Sequence, residues 1–195
     1  MSFLKIAEMG TFVVARRAFL GKSGVVLSAS AVALLAGCES LAAGQKESGG
    51  SPANDVAVLN AALGAELEAI AAYQVGAESG LLDKTTLGVA VTFQGHHKAH
   101  ADLLSATVSK LGGRPVGAKA KYDFPVASLK SQADVLRFAA KLESGAVSAY
   151  LGAMPVFDNR DLSRAAASIL GDEAMHWAIL RQALGEDPVP AAFVG

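Results

Sequence analysis

Four stretches of this chain combine a helical apolar seam with glutamate or histidine residues near the middle of that seam. The apolar positions recur at steps of three and four residues, apart from one seven-residue step, and therefore share one side of a helix. A carboxylate on the buried side of a helix is costly unless it is paired, protonated or bound to a metal ion. One shared site explains four interruptions at similar depth more simply than four separate accidents. The interrupting residues are Glu66, His97, His100, Glu143, Glu173 and His176.

The seams predict an all-α fold, a four-helix bundle without strands. The predicted helices cover about residues 55–78, 85–111, 132–155 and 159–185. Short links within each pair predict two antiparallel hairpins, and the long link of residues 112–130 predicts a crossover between helices two and three. Fully extended, that link could reach about 60 Å, which exceeds the roughly 40 Å length of the predicted second helix.

Two of the helices carry pairs of candidate metal ligands. Glu173 and His176 are three residues apart, as are His97 and His100, so each pair lies on one helical face about one turn apart. Glu66 and Glu143 add one carboxylate from each of the other helices. Di-iron carboxylate bundles use a glutamate from each of two helices and a Glu-x-x-His pair from each of the other two. The spacing therefore predicts a metal site in the bundle core.

Several segments of the chain together resemble the ferritin-like family. Residues 59–73 are similar to the first helix of bacterioferritins, and residues 97–102 resemble their second-helix motif except at the first position. Residues 172–176 resemble the last-helix motif, and Glu143 with residues 149–151 resembles the third. An export signal at the start of the chain and residues 188–193 are more similar to exported bacterial ferritin-like domain proteins than to cage ferritins.

The resemblance implies a ferritin-like domain over residues 55–195 that binds one or two transition-metal ions. Iron is the first expectation, with manganese or zinc as alternatives. The implied ligands are Glu66, His97, His100, Glu143, Glu173 and His176, and no catalytic residue is expected beyond them.

One position departs from the family pattern. His97 stands where the family has a glutamate that bridges two metal ions, and an imidazole rarely bridges and carries one negative charge fewer. A dinuclear iron centre is therefore one of several alternatives, because nitrogen-rich ligation also suits zinc, copper or a single iron. His96 is either a surface residue or an alternative ligand to His97, since it lies four residues from His100.

The first 54 residues predict an export signal and a tether. Residues 1–37 combine Arg16 and Arg17, which resemble a twin-arginine motif, with an apolar stretch too short to span a bilayer. Residues 34–38 resemble a bacterial lipobox, which implies a lipid on Cys38; a plain signal peptide with an incidental cysteine is the alternative. Residues 38–54 are small and polar, as in a flexible tether. We expect a lipid-anchored domain that faces the periplasm.

The composition of the chain argues against several classes of binding partner and cofactor. The net charge is −1, and no basic stripe with interleaved aromatic residues is present, which argues against nucleic-acid binding. The one cysteine excludes an internal disulfide and a thiolate cluster for zinc or iron–sulfur. The expected partners are a metal ion and, through Cys38, a membrane; dimers stay open.

Three functions are consistent with these residues. The first is an oxidase or peroxide-consuming protein that works through its metal site. The second is a periplasmic metal-binding or stress-protection module without turnover. The third is a scaffold lipoprotein that keeps the fold but has lost the metal, a hypothesis favoured by His97.

Overall fold

The computed structural model of the protein describes residues 52–194, and within that range it contains helices and no strand. The four helices are α1 (Pro52–Glu78), α2 (Lys84–Lys110), α3 (Gln132–Ala153) and α4 (Arg160–Ala183). Two short 3-10 turns, Val126–Ser128 and Met154–Val156, precede α3 and follow it. The predicted all-α class is confirmed, and α1 begins slightly earlier than predicted. The predicted signal, Cys38 and the tether up to residue 51 lie outside the described residues.

Polar side chains fix where three of the helices begin. Asp83 accepts a hydrogen bond from the backbone of Thr86 at 2.8 Å at the start of α2. Ser131 caps α3 by accepting from the backbone of Asp134. Asn159 caps α4, which begins at Arg160, one residue later than predicted. Such caps satisfy backbone N–H groups that have no partner inside the helix.

The helices form two antiparallel hairpins, as the short links predicted. α1 packs along α2, α3 packs along α4, and α1 meets α3 over a shorter length. The long segment between α2 and α3 carries the chain from one hairpin to the other. Asn60 of α1 holds its beginning, because its amide donates to the carbonyl of Arg114 at 3.0 Å and its Oδ1 accepts from the backbone of Val116 at 2.9 Å.

The two hairpins are also joined at one end by a buried carboxylate. Asp55, near the start of α1, accepts from the backbone of Asp158 at 2.8 Å and of Asn159 at 3.2 Å. These two residues directly precede α4. The bonds therefore fix the height of the first helix relative to the last, and with it the depth at which their core residues meet.

The core of the bundle consists of the apolar seams that the sequence predicted. Its buried apolar residues include Leu59, Leu63, Leu104, Leu136, Val147, Ile169 and Leu180. Their removal from water supplies the main favourable term in folding. The glutamates and histidines lie in the same core, between these apolar layers.

The Ala-rich sequence of α1 also makes this helix unusually apolar. Among the described helices it alone is long and apolar enough to cross a membrane, with a mean hydropathy of 1.4. Length and composition do not separate a spanning helix from a core helix of a bundle. Because α1 packs along α2 and buries Glu66, it acts here as a bundle helix.

Candidate metal centre

All six predicted ligands meet in the middle of the bundle, and each of the four helices contributes. The exposed fraction is 3% for Glu66, 1% for His97 and His176, and 0% for Glu143 and Glu173. His100 is slightly more open, with 14% of its side chain exposed. The structure thus brings the six residues together away from bulk water.

The first half of the centre lies between α1, α2 and α4. Donor atoms of Glu66, His97, His100 and Glu173 all lie within 4.8 Å of one another. His97 Nδ1 is 2.8 Å from Glu66 Oε2, and His100 Nδ1 is 3.0 Å from Glu173 Oε1. Two carboxylates and two imidazoles therefore surround one position.

The second half lies between α2, α3 and α4. Donor atoms of His97, Glu143, Glu173 and His176 are also mutually within 4.8 Å. His97 Nε2 is 3.3 Å from Glu143 Oε1, and His176 Nδ1 is 3.6 Å from both Glu143 Oε1 and Glu173 Oε2. This position has the same ligand composition as the first.

Two residues belong to both halves. Glu173 directs Oε1 towards His100 and Oε2 towards His176, so one carboxylate faces both positions. His97 directs Nδ1 to Glu66 and Nε2 to Glu143. A neutral imidazole has one nitrogen lone pair, so the ring can coordinate at only one of the two positions.

Five buried donor atoms of the centre lack a normal hydrogen bond within the described part of the chain. They are His100 Nδ1, Glu143 Oε2, both oxygens of Glu173 and His176 Nδ1. Unsatisfied buried polar atoms are rare in native proteins and call for an explanation such as an ion. Since carboxylate oxygens and imidazole nitrogens are donors for transition metals, these residues fit a bound metal ion.

Without a metal ion, the centre balances its charge with protons. Burial alone raises the pKa of Glu66, but the interactions with His100 and His97 outweigh it and hold the pKa at about 2. Burial lowers the pKa of His97, yet its contacts with Glu143 and Glu66 raise it to about 10. Glu66 is therefore ionised and His97 protonated near neutral pH.

The remaining ligands follow the same pattern with one exception. Burial disfavours the charged rings, but neighbouring carboxylates raise the pKa of both His100 and His176 to about 9. Burial alone raises the pKa of Glu143, but the interactions with His176 and His97 outweigh this effect and lower the pKa. For Glu173 burial dominates and raises the pKa. A metal ion entering the centre must displace protons from the histidines.

Two tyrosines support the carboxylates, a role that was not predicted from the sequence. The Tyr150 hydroxyl donates to Glu66 Oε1 at 2.5 Å, and the Tyr73 hydroxyl donates to Glu143 Oε1. Burial and the nearby carboxylates raise the pKa of both hydroxyls, which keeps them protonated donors. Each helps to hold a glutamate in place. Both lie on the same seams as the glutamates, at seven residues from Glu66 and from Glu143, and this spacing could have indicated them.

Asp172 was also missed as part of the site, although it directly precedes Glu173. Its Oδ2 lies 3.4 Å from His100 Nε2 and 3.3 Å from His176 Nε2, so it contacts the ring nitrogens that face away from the centre. Carboxylates in such positions orient metal-binding histidines and fix their tautomer. His96 is not part of the core; it contacts Asp172 from the outside at 3.1 Å.

A cavity of about 550 Å³ extends along the bundle to the centre. Its walls come from α1, α3 and the segment that precedes α3, and small residues such as Ala65, Ala69 and Ala146 line it. Glu66, His97, Glu143 and Tyr150 also line it, so it offers small molecules a route to the ligands.

The comparison with known proteins agrees with this geometry. A family model described as the ferritin-like domain matches residues 54–186, which include all six predicted ligands and nearly the whole of the four helices. The chain belongs to the ferritin-like family. Its fold is similar to the crystal structure of a conserved hypothetical protein from Mycobacterium tuberculosis, with a TM-score of 0.63 and 25% sequence identity. That match covers 73% of this chain and 99% of the other. No curated protein matches significantly.

Membership of the ferritin-like family accounts for the main architecture of the site. The family arrangement of ligands on four helices fits the buried glutamates and histidines described here. The imidazole of His97, which faces both halves of the centre, is a departure from that arrangement.

Proposed function

We propose that this ferritin-like protein is an exported, membrane-tethered protein that binds iron in its bundle core and reacts there with dioxygen or peroxide. The convergence of buried donor atoms of His100, Glu143, Glu173 and His176 that lack well-formed hydrogen bonds is the observation that carries the metal-binding part. Burying polar atoms without well-formed hydrogen bonds costs free energy, and a bound cation would offset this cost.

The two halves of the centre should bind metal with different strength. Of the two hydrogen bonds of His97, the one from Nδ1 to Glu66 is shorter, at 2.8 Å against 3.3 Å from Nε2 to Glu143. The neutral ring therefore keeps its proton on Nδ1 and offers Nε2. This tautomer gives the tight position its four ligands, His97, Glu143, Glu173 and His176. The weaker position keeps Glu66, His100 and the shared Glu173.

The surroundings of the centre support redox chemistry. Iron bound there would supply electrons for the reduction of dioxygen or peroxide. The cavity between α1 and α3 would admit these small molecules, while the apolar layers above and below exclude bulk water. Tyr73 and Tyr150 would hold the two flanking carboxylates in place as the charge of the site changes.

The tether rests on the sequence alone. Arg16 and Arg17 support export of a folded domain that has already taken up its metal, and Cys38 supports a lipid anchor. The periplasmic face of a bacterial membrane is the proposed location.

A metal-binding module without turnover is the second candidate, and His97 is the observation that favours it. An imidazole in place of a bridging carboxylate removes a negative charge that would stabilise the oxidised form of a metal pair. A protein of this kind would hold or deliver metal without consuming an oxidant.

Mixing iron(II)-loaded protein with dioxygen or hydrogen peroxide separates the two candidates. The proposal predicts repeated oxidation of added iron(II), with many ions oxidised per chain. The near-ultraviolet absorbance of the iron(III) product measures this oxidation. Oxidation that stops at the amount of bound iron favours the module without turnover.

Two variants serve as matched controls in this experiment. Glu173→Gln removes the shared carboxylate and should abolish turnover. Glu78→Gln makes the same change outside the buried core, near the end of α1, and should turn over like the unaltered protein. Equal activity of the Glu173→Gln variant would contradict a reaction at this centre.

A further inference from the structure

We infer that His96, Asp172 and His176 form a second metal site on the outside of the bundle, which binds the ion first and is vacated as the core fills. The inference rests on the proposed function for the direction of transfer and for the displacement of the outer ion, whereas the outer site itself is argued from its own three residues.

The three donor atoms form a compact triangle. His96 Nδ1 is 2.9 Å from His176 Nε2 and 3.1 Å from Asp172 Oδ2, and His176 Nε2 is 3.3 Å from that oxygen. Ligand atoms about 2.1 Å from a metal ion are about 3.0 Å apart in octahedral and about 3.4 Å apart in tetrahedral geometry. All three separations are close to this range, so an ion could bind with little movement.

The composition of the triangle suits a transition metal with open coordination positions. Two histidines and one carboxylate on one face are a known ligand set for iron(II). The outer side of the triangle is accessible, because 45% of the His96 side chain and 23% of the Asp172 side chain are exposed. The remaining coordination positions would be taken by water.

His176 connects the outer site to the core. Its ring stacks on Phe93 with centroids 4.0 Å apart, which fixes its orientation. In that orientation Nε2 faces the triangle, and Nδ1 faces Glu143 and Glu173 in the core. One flat ring thus forms the shared wall between the two sites.

The shared ring makes the two sites exclude each other. A neutral imidazole has one lone pair, so His176 can coordinate outwards through Nε2 or inwards through Nδ1, but not both. When Nδ1 binds a core ion, Nε2 keeps its proton and donates to Asp172. The outer ion then loses one of three protein ligands and should dissociate.

Rapid mixing of metal-free full-length protein with Co²⁺, followed by cobalt absorption, tests the inference. The unaltered protein should show a fast binding step and then a slower one as the ion moves to the core. His96→Leu should remove the fast step and slow core loading, because the outer site loses one of its three ligands. His96→Asp, which restores a ligand, should recover the fast step. A fast step that persists unchanged in His96→Leu would overturn the inference.

A second measurement tests the exclusion. Protein that has been loaded and then desalted should bind a further Co²⁺ ion at the outer site at least about tenfold more weakly than metal-free protein does. Equal affinity would overturn the exclusion. If no ion survives desalting but weak binding still depends on His96, the outer site stands and the proposed core function fails. If a core ion is retained and His96→Leu changes nothing, the proposed core function stands and the outer site fails.

Discussion

At the scale of single residues, His97 determines how the core of this ferritin-like protein is organised. Its ring lies between Glu66 and Glu143 and bonds both, one through each nitrogen. In the metal-free protein it supplies a positive charge between two buried carboxylates. In the proposed metal-bound protein it could serve only one of the two positions, which would limit the centre to one tight ion and one weaker ion.

The proposed difference between the tight and the weaker position can be tested by changing one histidine at each. His176→Gln removes a ligand from the tight position, so we expect the affinity for the first ion to fall by more than the roughly 10- to 100-fold that loss of an outer-shell partner costs. His100→Gln, the matched change at the weaker position, should keep one tightly bound ion. Equilibrium dialysis with Co²⁺ or Zn²⁺ measures both. Equal losses in the two variants would contradict the assignment of the tight position.

The pKa values predict how the stability of the metal-free protein depends on pH. The pKa of His97 rises from an ordinary 6.5 to about 10 on folding, so its contribution is complete below pH 6.5 and is lost as the pH rises towards 10. The pKa of Glu66 falls from 4.5 to about 2, so its contribution is present above pH 4.5 and is lost as the pH falls towards 2. We therefore expect the melting temperature to be highest between pH 4.5 and pH 6.5, where both contributions are present.

Thermal denaturation followed by circular dichroism at a series of pH values tests this. Adding metal should reduce the alkaline decline, because an ion takes the place of the protons that the histidines lose. A metal-free protein whose melting temperature rises steadily from pH 6.5 to 10 would contradict the proton-balanced core.

At the scale of the helices and their connections, the start of the crossover is packed tightly. A Cβ atom on Gly113 would lie 2.6 Å from Val56 Cγ1 and 3.0 Å from Val108 Cγ1, so only glycine fits without movement. Because valine side chains are stiff, we expect Gly113→Ala to destabilise the protein by about 1–3 kcal/mol.

Gly88 in α2 provides the control for this substitution. A Cβ there would meet nothing within 4 Å, so Gly88→Ala should stabilise the helix by about 0.5–1 kcal/mol. Urea denaturation of both variants gives the two free energies of unfolding. A Gly113→Ala variant as stable as the unaltered protein would show that the crossover does not pack on α1 and α2 as described.

The sequence predicted the helices well because their signals are local. Apolar steps of three and four residues, a capping serine at Ser131 and glycines after α2 and α4 all act within a few residues. The same spacing placed Glu173 and His176 on one face. The order and depth of the six ligands on four helices then led to the correct family.

The contacts between helices could not be predicted in this way. The bond from Tyr150 to Glu66 spans 84 positions, and it depends on how α1 and α3 are rotated against each other. The orientation of the His176 ring, held by Phe93, is likewise a property of packed side chains. Asp172 contacts three histidines only because α2 and α4 bring them to one corner of the bundle.

At the scale of the whole molecule, the proposed export signal and the metal site belong together. A domain that binds its ion before export has reason to carry a twin-arginine signal, and a lipid would keep it at the membrane surface.

Fractionation of the bacterial envelope tests the anchor. We expect the full chain in the membrane fraction and the Cys38→Ala variant in the soluble periplasmic fraction, because only the former can receive a lipid on sulfur. Cys38→Ser should behave like Cys38→Ala. Membrane association that survives both changes would contradict a lipid at this position.

Metal content tests the central claim most directly. Full-length protein purified under gentle conditions from a host grown with ample iron should contain about one to two transition-metal ions per chain, in line with a centre built by four helices. The Glu143→Gln/Glu173→Gln variant should lose them, whereas Glu78→Gln should keep them. Protein that folds, yet holds no metal after purification and after reconstitution, would contradict a metal centre in this bundle.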